Sequence, residues 1–218
     1  MKFLNPAIPA DLAAAKPLRL NLGAGPNPLP GFYSLDHLPL PTTDILADLN
    51  DPLDLLPDRS VAELHTRHTL EHIDNFLPLM QELHRILRPD ASLHIIVPHF
   101  SNPLAWSDPT HVRFFGLYTF YYFVDPPRQP RRKVPHFYTP VRFIVDRLRI
   151  RFDRETLLGK LTAPFLDALV NLTPWTQALY ERRFPWLFPA AEIECILRPA
   201  NAVPPEPSPL PPTADKGI

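Results

Sequence analysis

The stretch Leu18-Arg19-Leu20-Asn21-Leu22-Gly23-Ala24-Gly25-Pro26-Asn27-Pro28 decides how the rest of the chain is read. Apolar and polar residues alternate from Leu18 to Leu22, and two glycines follow with one residue between them. The pattern predicts a strand over 18–23 that runs into a tight turn. Glycine adopts positive φ readily and has no Cβ, so a ligand can approach the backbone there. A lone G-x-G is also what an ordinary strand-end turn uses. What comes next separates the two readings. A second short apolar run, Phe32 to Leu35, ends in Asp36, eleven residues after Gly25. A carboxylate at the end of a second strand accepts hydrogen bonds from both hydroxyls of a ribose.

A dinucleotide would need more. In dinucleotide-binding folds a helix starts at the glycine turn, and its N-terminus holds the pyrophosphate. Here Pro26, Pro28 and Pro30 follow the glycines. One proline at the first helical position is tolerated; three at alternate positions are not. The first helix is therefore expected to be shortened or absent, with no phosphate cradle. A nucleoside ligand without phosphates needs none, and S-adenosylmethionine is such a ligand.

The 218 residues suffice for one larger domain, expected over 1–198. Cap elements are expected at about 99–140 and 155–185. Net charge is −1, and nucleic acid is not an expected partner. The 31 prolines against 6 glycines imply stiff loops and many element boundaries. The single cysteine, Cys195, has no internal disulfide partner, which fits a reducing compartment. It sits in a strand-like run and reads as a small buried hydrophobe. No apolar run has the length of a membrane span, and prolines with Asp11 interrupt any signal-like N-terminal core, so a cytoplasmic protein is expected. Charge is uneven: residues 1–127 hold 8 Lys/Arg against 14 Asp/Glu, and residues 128–154 hold 9 against 2. The basic stretch is either a solvated strand and loop or an attractor of an anionic acceptor.

Along the chain, a short helix is expected from Asp11 to Lys16 and a third strand from Ile45 to Leu49. The connections between the first three strands are too short for crossover helices. Val61 to Thr66 reads as the fourth strand. A helix capped by Thr69 follows, with one buried face marked by Leu77, Leu79, Met80, Leu83, Ile86 and Leu87, and stopped by Pro89. Leu93 to Val97 reads as a central fifth strand. Residues 98–123 form an aromatic-rich connection with a helical turn at Thr119–Phe123, followed by a basic, proline-rich loop. Arg142 to Phe152 alternates as a half-exposed strand. Residues 155–183 are amphipathic through Leu157, Leu158, Leu161, Phe165, Leu166, Leu169, Val170 and Leu172. Their polar face is not markedly basic, so packing on the sheet or over the site is expected rather than membrane contact. Glu192 to Leu197 reads as the last strand. From Pro199 the tail is proline-rich and aperiodic, and disorder is expected.

These pieces resemble the class I S-adenosylmethionine-dependent methyltransferases, and within them a small bacterial type 11-like group. The resemblance rests on Leu20-Asn21-Leu22-Gly23-Ala24-Gly25, Leu35-Asp36, Asp48-Leu49, Leu70-Glu71-His72 and Arg85-Ile86-Leu87-Arg88-Pro89, in that order. It spans about residues 18–115 and, more loosely, the last strand. It implies a Rossmann-like α/β fold with a seven-stranded, mostly parallel sheet, one inserted antiparallel strand, and cofactor at the carboxyl ends of strands one, two and four. Asp90-Ala91 stands where the family usually has two glycines, in a turn outside the site. By the same resemblance Asn21, Gly23, Ala24 and Gly25 line the methionine and ribose side. Asp36, with His37 beside it, takes the ribose hydroxyls, and Asp48 with Leu49 meets the adenine. Arg67 and His68 lie near the sulfonium or the acceptor. Asp48 also reads as a loop cap, and Glu71 with His72 as residues that open a helix.

The expected chemistry is methylation of oxygen or nitrogen on a small-molecule acceptor. The base candidates are His111, with Asp108 orienting its ring, and His99, which directly follows the fifth strand. Both histidines also read as partners of backbone groups among the aromatics from Phe100 to Phe123. His65, His68 and His72 have a spacing found in metal sites, but His68 precedes the helix and no further ligand completes the set. No metal is expected, and a metal-dependent hydrolase is the remote reading. A cofactor-binding scaffold without catalysis is the other alternative.

Overall fold

The computed structural model describes residues 1–200. Its organising strand is β2 (Leu18–Leu22), where Leu18, Leu20 and Leu22 are buried and Arg19 is exposed. Parallel partners flank it: β3 (Tyr33–Asp36) on one side and β5 (Val61–Arg67) on the other. Beyond β3 lie β4 (Ile45–Leu46), parallel, and the short β1 (Lys2–Phe3), antiparallel. Beyond β5 lies β6 (Leu87–Pro98), also parallel. An antiparallel strand, β8 (Ala190–Pro199), then separates β6 from β7 (Phe143–Phe152). The order is β1-β4-β3-β2-β5-β6-β8-β7. Without β1 this is the seven-stranded, mostly parallel sheet with one inserted antiparallel strand expected from the resemblance; β1 makes it eight-stranded.

The chain from Gly23 to Phe32 contains no helix, as its prolines dictate. Five α-helices do form among the described residues. α1 (Ala7–Ala13) starts at Pro6, not at Asp11, because Pro9 fits within its first turn. Asp11 instead accepts from the Tyr33 hydroxyl at 2.7 Å and pairs with Lys16. The helix expected from Thr69 is interrupted: Leu70–His72 is one 3₁₀ turn, and α2 (Phe76–Ile86) begins only four residues later. Pro78 falls in the first turn of α2, where its missing N–H costs nothing. The helix ends at Ile86, three residues before the expected stop at Pro89, because β6 pairs with β5 from Leu87 onward. α3 (Pro103–Ser107) is capped by the Asn102 side chain, and the 3₁₀ turn Thr119–Phe123 buries Phe120 and Phe123.

The segment 155–183 divides into α4 (Leu157–Val170) and α5 (Pro174–Arg183). A reciprocal cap between Thr173 and Thr176 starts α5. The helices cover the β7 end of the sheet through Ile150, Phe152, Ala163, Val170 and Tyr180. Only part of the expected apolar face of α4 makes this contact: Val170 and the half-buried Leu166 do, while Leu157, Leu158, Leu161, Phe165 and Leu169 are exposed. Cys195 is fully buried in β8, and burial pushes its thiol up. Pro199 pairs with Phe143 and the Ala200 N–H donates to the Arg142 carbonyl, so the sheet extends two residues into the expected tail. The rest of that tail, from 201 on, lies outside the described residues.

Candidate functional site

Parallel strands end together, and their carboxyl ends open a cavity of about 510 Å³. β2 delivers Gly23 to it, β3 delivers Asp36 and His37, and the turn after β4 delivers Ala47, Asp48 and Leu49. The turn after β5 adds His68, Thr69, His72 and Ile73, and Thr110 closes one side. The volume suits a nucleoside-sized ligand.

The turn at the head of β2 is built by its glycines. Gly23 has φ +61° and Gly25 φ +56°, which an L side chain adopts only at a cost. A Cβ on Gly23 would lie 2.2 Å from Thr69 Oγ1, so this glycine also lets β2 and the β5 turn close together. A Cβ on Gly25 would meet nothing within 4 Å. The space over Gly25 is open to a ligand.

Asp36 is buried, and the backbone fixes both its oxygens. Oδ2 accepts from the Gly25 N–H at 2.9 Å and Oδ1 from the Leu38 N–H at 3.0 Å. Each oxygen keeps an acceptor site for a ligand hydroxyl. His37 Nδ1 lies 3.3 Å from Oδ1. Asp48 behaves as a loop cap: its Oδ1 accepts from Asn50 N and Nδ2, which leaves Oδ2 for the cavity. Leu35, Ala47, Leu49 and Ile73 supply the apolar walls that an aromatic ring needs.

His68 has φ +52°, an uncommon state for a residue with a Cβ. Two carboxylates hold its ring: Glu192 at 2.7 Å from Nε2 and Glu71 at 3.4 Å from Nδ1. The hydrogen bond to Glu192, then the longer contact with Glu71, raises its pKa from 6.5 to about 9. The same His68 contact lowers the Glu192 carboxyl. His68 is therefore cationic at neutral pH. The native state keeps this proton where the unfolded chain has lost it, so the stabilisation is complete below about pH 6.5 and gone above about pH 9. Urea unfolding from pH 6 to 10 should show stability falling through that window, less steeply in His68→Gln. Equal slopes in the two proteins would mean that the carboxylates add no stability through His68.

The remaining expected residues divide. Asn21 lies two positions before Gly23, and its Oδ1 is 3.2 Å from His65 Nδ1; neither it nor Ala24 nor Gly25 lines the cavity wall. Arg67 does not face the cavity. It pairs with Glu192 at 2.9 Å and lines a second hollow, because successive side chains of a strand point to opposite faces. His99 is fully buried, with Nδ1 2.8 Å from Ser101 Oγ and Nε2 3.5 Å from Glu181. It is sealed among the aromatics and has no access to the cavity. Arg128, Arg131, Arg132 and Lys133 also line no part of it. Lys133 Nζ is spent on the carbonyls of Pro126 and Gln129.

His111 and Asp108 stand behind Thr110, and here the structure gathers residues that the linear pattern kept apart. His111 Nδ1 lies 2.9 Å from the Ala105 carbonyl oxygen, so the proton sits on Nδ1 in the neutral ring. The free Nε2 faces Glu71 Oε1 at 4.0 Å and Asp108 Oδ2 at 3.8 Å. The group that orients the ring is therefore the Ala105 carbonyl, not Asp108. Asp108 Oδ1 is occupied by the Thr110 hydroxyl and N–H. His72 packs edge-on against His111, ring centres 4.7 Å apart, and its Nδ1 contacts Thr110. Glu71 is 1 % exposed, and neither carboxylate oxygen has a hydrogen-bond partner among the described residues. Glu71, His72 and His111 bring ligand-type atoms within 4.8 Å of one another, the arrangement a small cation would require. His65, His68 and His72 do not converge: the His65 ring packs against His94. Sequence reasoning left Glu71 and His72 as helix-opening residues; the missing signal was their distance from His111 across 40 positions of chain.

No protein-family model matches the chain, and no curated protein matches it in sequence. Among solved structures it is similar to a SAM dependent methyltransferase from Archaeoglobus fulgidus, with 14 % identity over 88 % of this chain and 91 % of that one and a TM-score of 0.53. A putative type 11 methyltransferase from Sulfolobus solfataricus is 13 % identical over 91 % and 93 % of the two chains, with a TM-score of 0.46. The first likeness and the strand order together show the fold of the class I S-adenosylmethionine-dependent methyltransferases.

Proposed function

We propose that the protein binds S-adenosylmethionine in the cavity at the carboxyl ends of β2 to β5 and transfers its methyl group to oxygen or nitrogen of a small-molecule acceptor. The observation that carries this reading is Asp36: a buried carboxylate, pinned by the Gly25 and Leu38 N–H groups, at the position where a ribose would lie. The apolar walls fit a nucleoside, and the helix-free turn fits one without phosphates.

The bound cofactor supplies an activated methyl carbon, open to in-line displacement. The protein's own residues position the acceptor, exclude water and take up a proton where the acceptor carries one. Thr110 and His72 form the wall between the cavity and His111. His111 is the proposed base, taking the acceptor's proton by way of Thr110 or His72, which line the cavity, and Glu71 and Asp108 stabilise the imidazolium it becomes. An anionic acceptor was expected from the basic loop. That loop lies off the cavity, so it lends this acceptor class no support. A scaffold that binds the cofactor without turnover is the second reading, and release of S-adenosylhomocysteine on addition of cell extract would exclude it.

Asp36→Ala should weaken S-adenosylmethionine and S-adenosylhomocysteine by about 1–3 kcal/mol in calorimetry, since two hydroxyls lose their acceptor. Unchanged affinity would remove Asp36 from the ribose role. Tight NAD binding by the unaltered protein would remove the whole reading.

A further inference from the structure

We propose that α4, the start of α5 and the basic groove beside them form a docking face for the surface of an anionic lipid bilayer. A helix on a globular protein normally turns its apolar stripe inward. α4 does the opposite. Leu157, Leu158, Leu161, Phe165, Leu169 and, just past its end, Leu172 are 47–78 % exposed. At 3.6 residues per turn they fall within an arc of about 120°. The buried residues Ala163, Asp167 and Val170 occupy the other side of the helix. Asp167 fixes this orientation: it accepts from the Phe152 N–H at 3.0 Å and pairs with Arg154. The stripe cannot roll under without breaking that buried anchor. Trp175, at the start of α5, and Trp186 and Leu187, just past its end, are exposed as well. Apolar patches of this extent mark interaction surfaces.

What covers the patch is indicated by the charge next to it. Arg131, Arg132, Arg182 and Arg183, together with Trp175 and Tyr118, line a groove of about 790 Å³ that no carboxylate enters. None of the four arginines is in an ion pair among the described residues, in contrast to Arg151 and Arg154 on β7 and beyond it, which are. Trp175 joins the two features, since it lines the groove and stands three residues after Leu172. A second copy of the chain, docked about a two-fold axis, would bring the two arginine groups toward each other. A bilayer answers both features at once. The Leu/Phe stripe enters the boundary of the acyl region, the tryptophans sit at the interface, and the guanidinium groups meet lipid phosphates. Among the described residues no helix is long and apolar enough to cross a membrane, so the contact is peripheral. The polar face of α4 is not itself basic. The cations come from the 130–132 loop and from α5, which only the fold brings alongside.

The test is sedimentation of the full chain with vesicles of phosphatidylcholine alone or mixed in equal parts with phosphatidylglycerol. The expected result is binding to the mixed vesicles at least about tenfold stronger than to the neutral ones, and weakened by salt. Leu161→Asp with Phe165→Asp should abolish binding. Arg182→Glu with Arg183→Glu should reduce it to the neutral-vesicle level. All four positions lie outside the cofactor cavity, and an unchanged thermal midpoint would show that both variants still fold. Failure of the unaltered protein to bind either vesicle would overturn the proposal. So would binding that both double variants retain. A dimer in light scattering, without lipid, that Leu161→Asp with Phe165→Asp converts to a monomer would assign the face to a second copy instead.

Discussion

Gly23→Ala is expected to abolish cofactor binding and to destabilise the protein by about 2–4 kcal/mol. Two costs combine at this position. The backbone sits at φ +61°, where a Cβ is strained. The new methyl would also lie 2.2 Å from Thr69 Oγ1 and 2.5 Å from its Cγ2. Thr69 cannot move aside freely, because its hydroxyl hydrogen-bonds the carbonyls of Leu22 at 3.2 Å and Arg67 at 3.1 Å. Those contacts join the ends of β2 and β5, which are two walls of the cavity. Gly25→Ala provides the contrast. It carries the strain of φ +56° but meets no neighbour and lies off the cavity wall, so it should cost about 1 kcal/mol in stability and leave the walls of the cavity in place. Thermal unfolding with and without S-adenosylhomocysteine separates the two variants. A Gly23→Ala protein with an unaltered midpoint and a normal ligand shift would show that the strands need not approach so closely.

Gly23 and Asp36 were legible in the sequence because local physics determines them. A strand running into G-x-G has one conformational solution, and an acidic residue at the end of the next strand has few reasons to be buried. The missing first helix was equally legible, since three alternate prolines forbid it. The strand order followed from the resemblance, not from periodicity. Two kinds of information were absent from the linear pattern. One is the face a residue takes when a strand ends: Arg67 and His68 both reach Glu192, yet Arg67 lines another hollow, while His68, at a positive φ, also lines the cavity. The other is tertiary placement. Nothing in the sequence shows that His99 is enclosed by Ser101, Glu181 and Phe100. Nor does it show that α4 is anchored through Asp167 so that its leucines face outward. For α4 the period was read correctly, but of the expected face only Val170 and Leu166 reach the core, because the rest of the buried side is Ala163 and Asp167, which give no amphipathic signal.

His111→Ala is expected to leave affinity for S-adenosylhomocysteine intact while lowering kcat by about a hundredfold or more. The cavity wall nearest His111 is made by His72 and Thr110, so removing the imidazole behind them takes away no group that lines the ligand's space. The base role requires a free ring nitrogen with its partner nitrogen held. The Ala105 carbonyl holds Nδ1 at 2.9 Å, and Nε2 is left between two carboxylates. Glu71 is the more buried of these, and its Oε1 already faces the His68 cation at 3.4 Å, so it is one carboxylate shared between two imidazoles. Glu71→Gln preserves the shape and removes the charge, so it should also slow turnover, by less than His111→Ala. Metal analysis of the purified protein supplies the remaining control, because a cation held by Glu71, His72 and His111 would make His111 a ligand and not a base. In that case His72→Ala and His111→Ala would each lose the ion and fail together. A folded His111→Ala protein with full kcat would exclude the residue from proton transfer, and His72, which already lines the cavity, would be the next base to test.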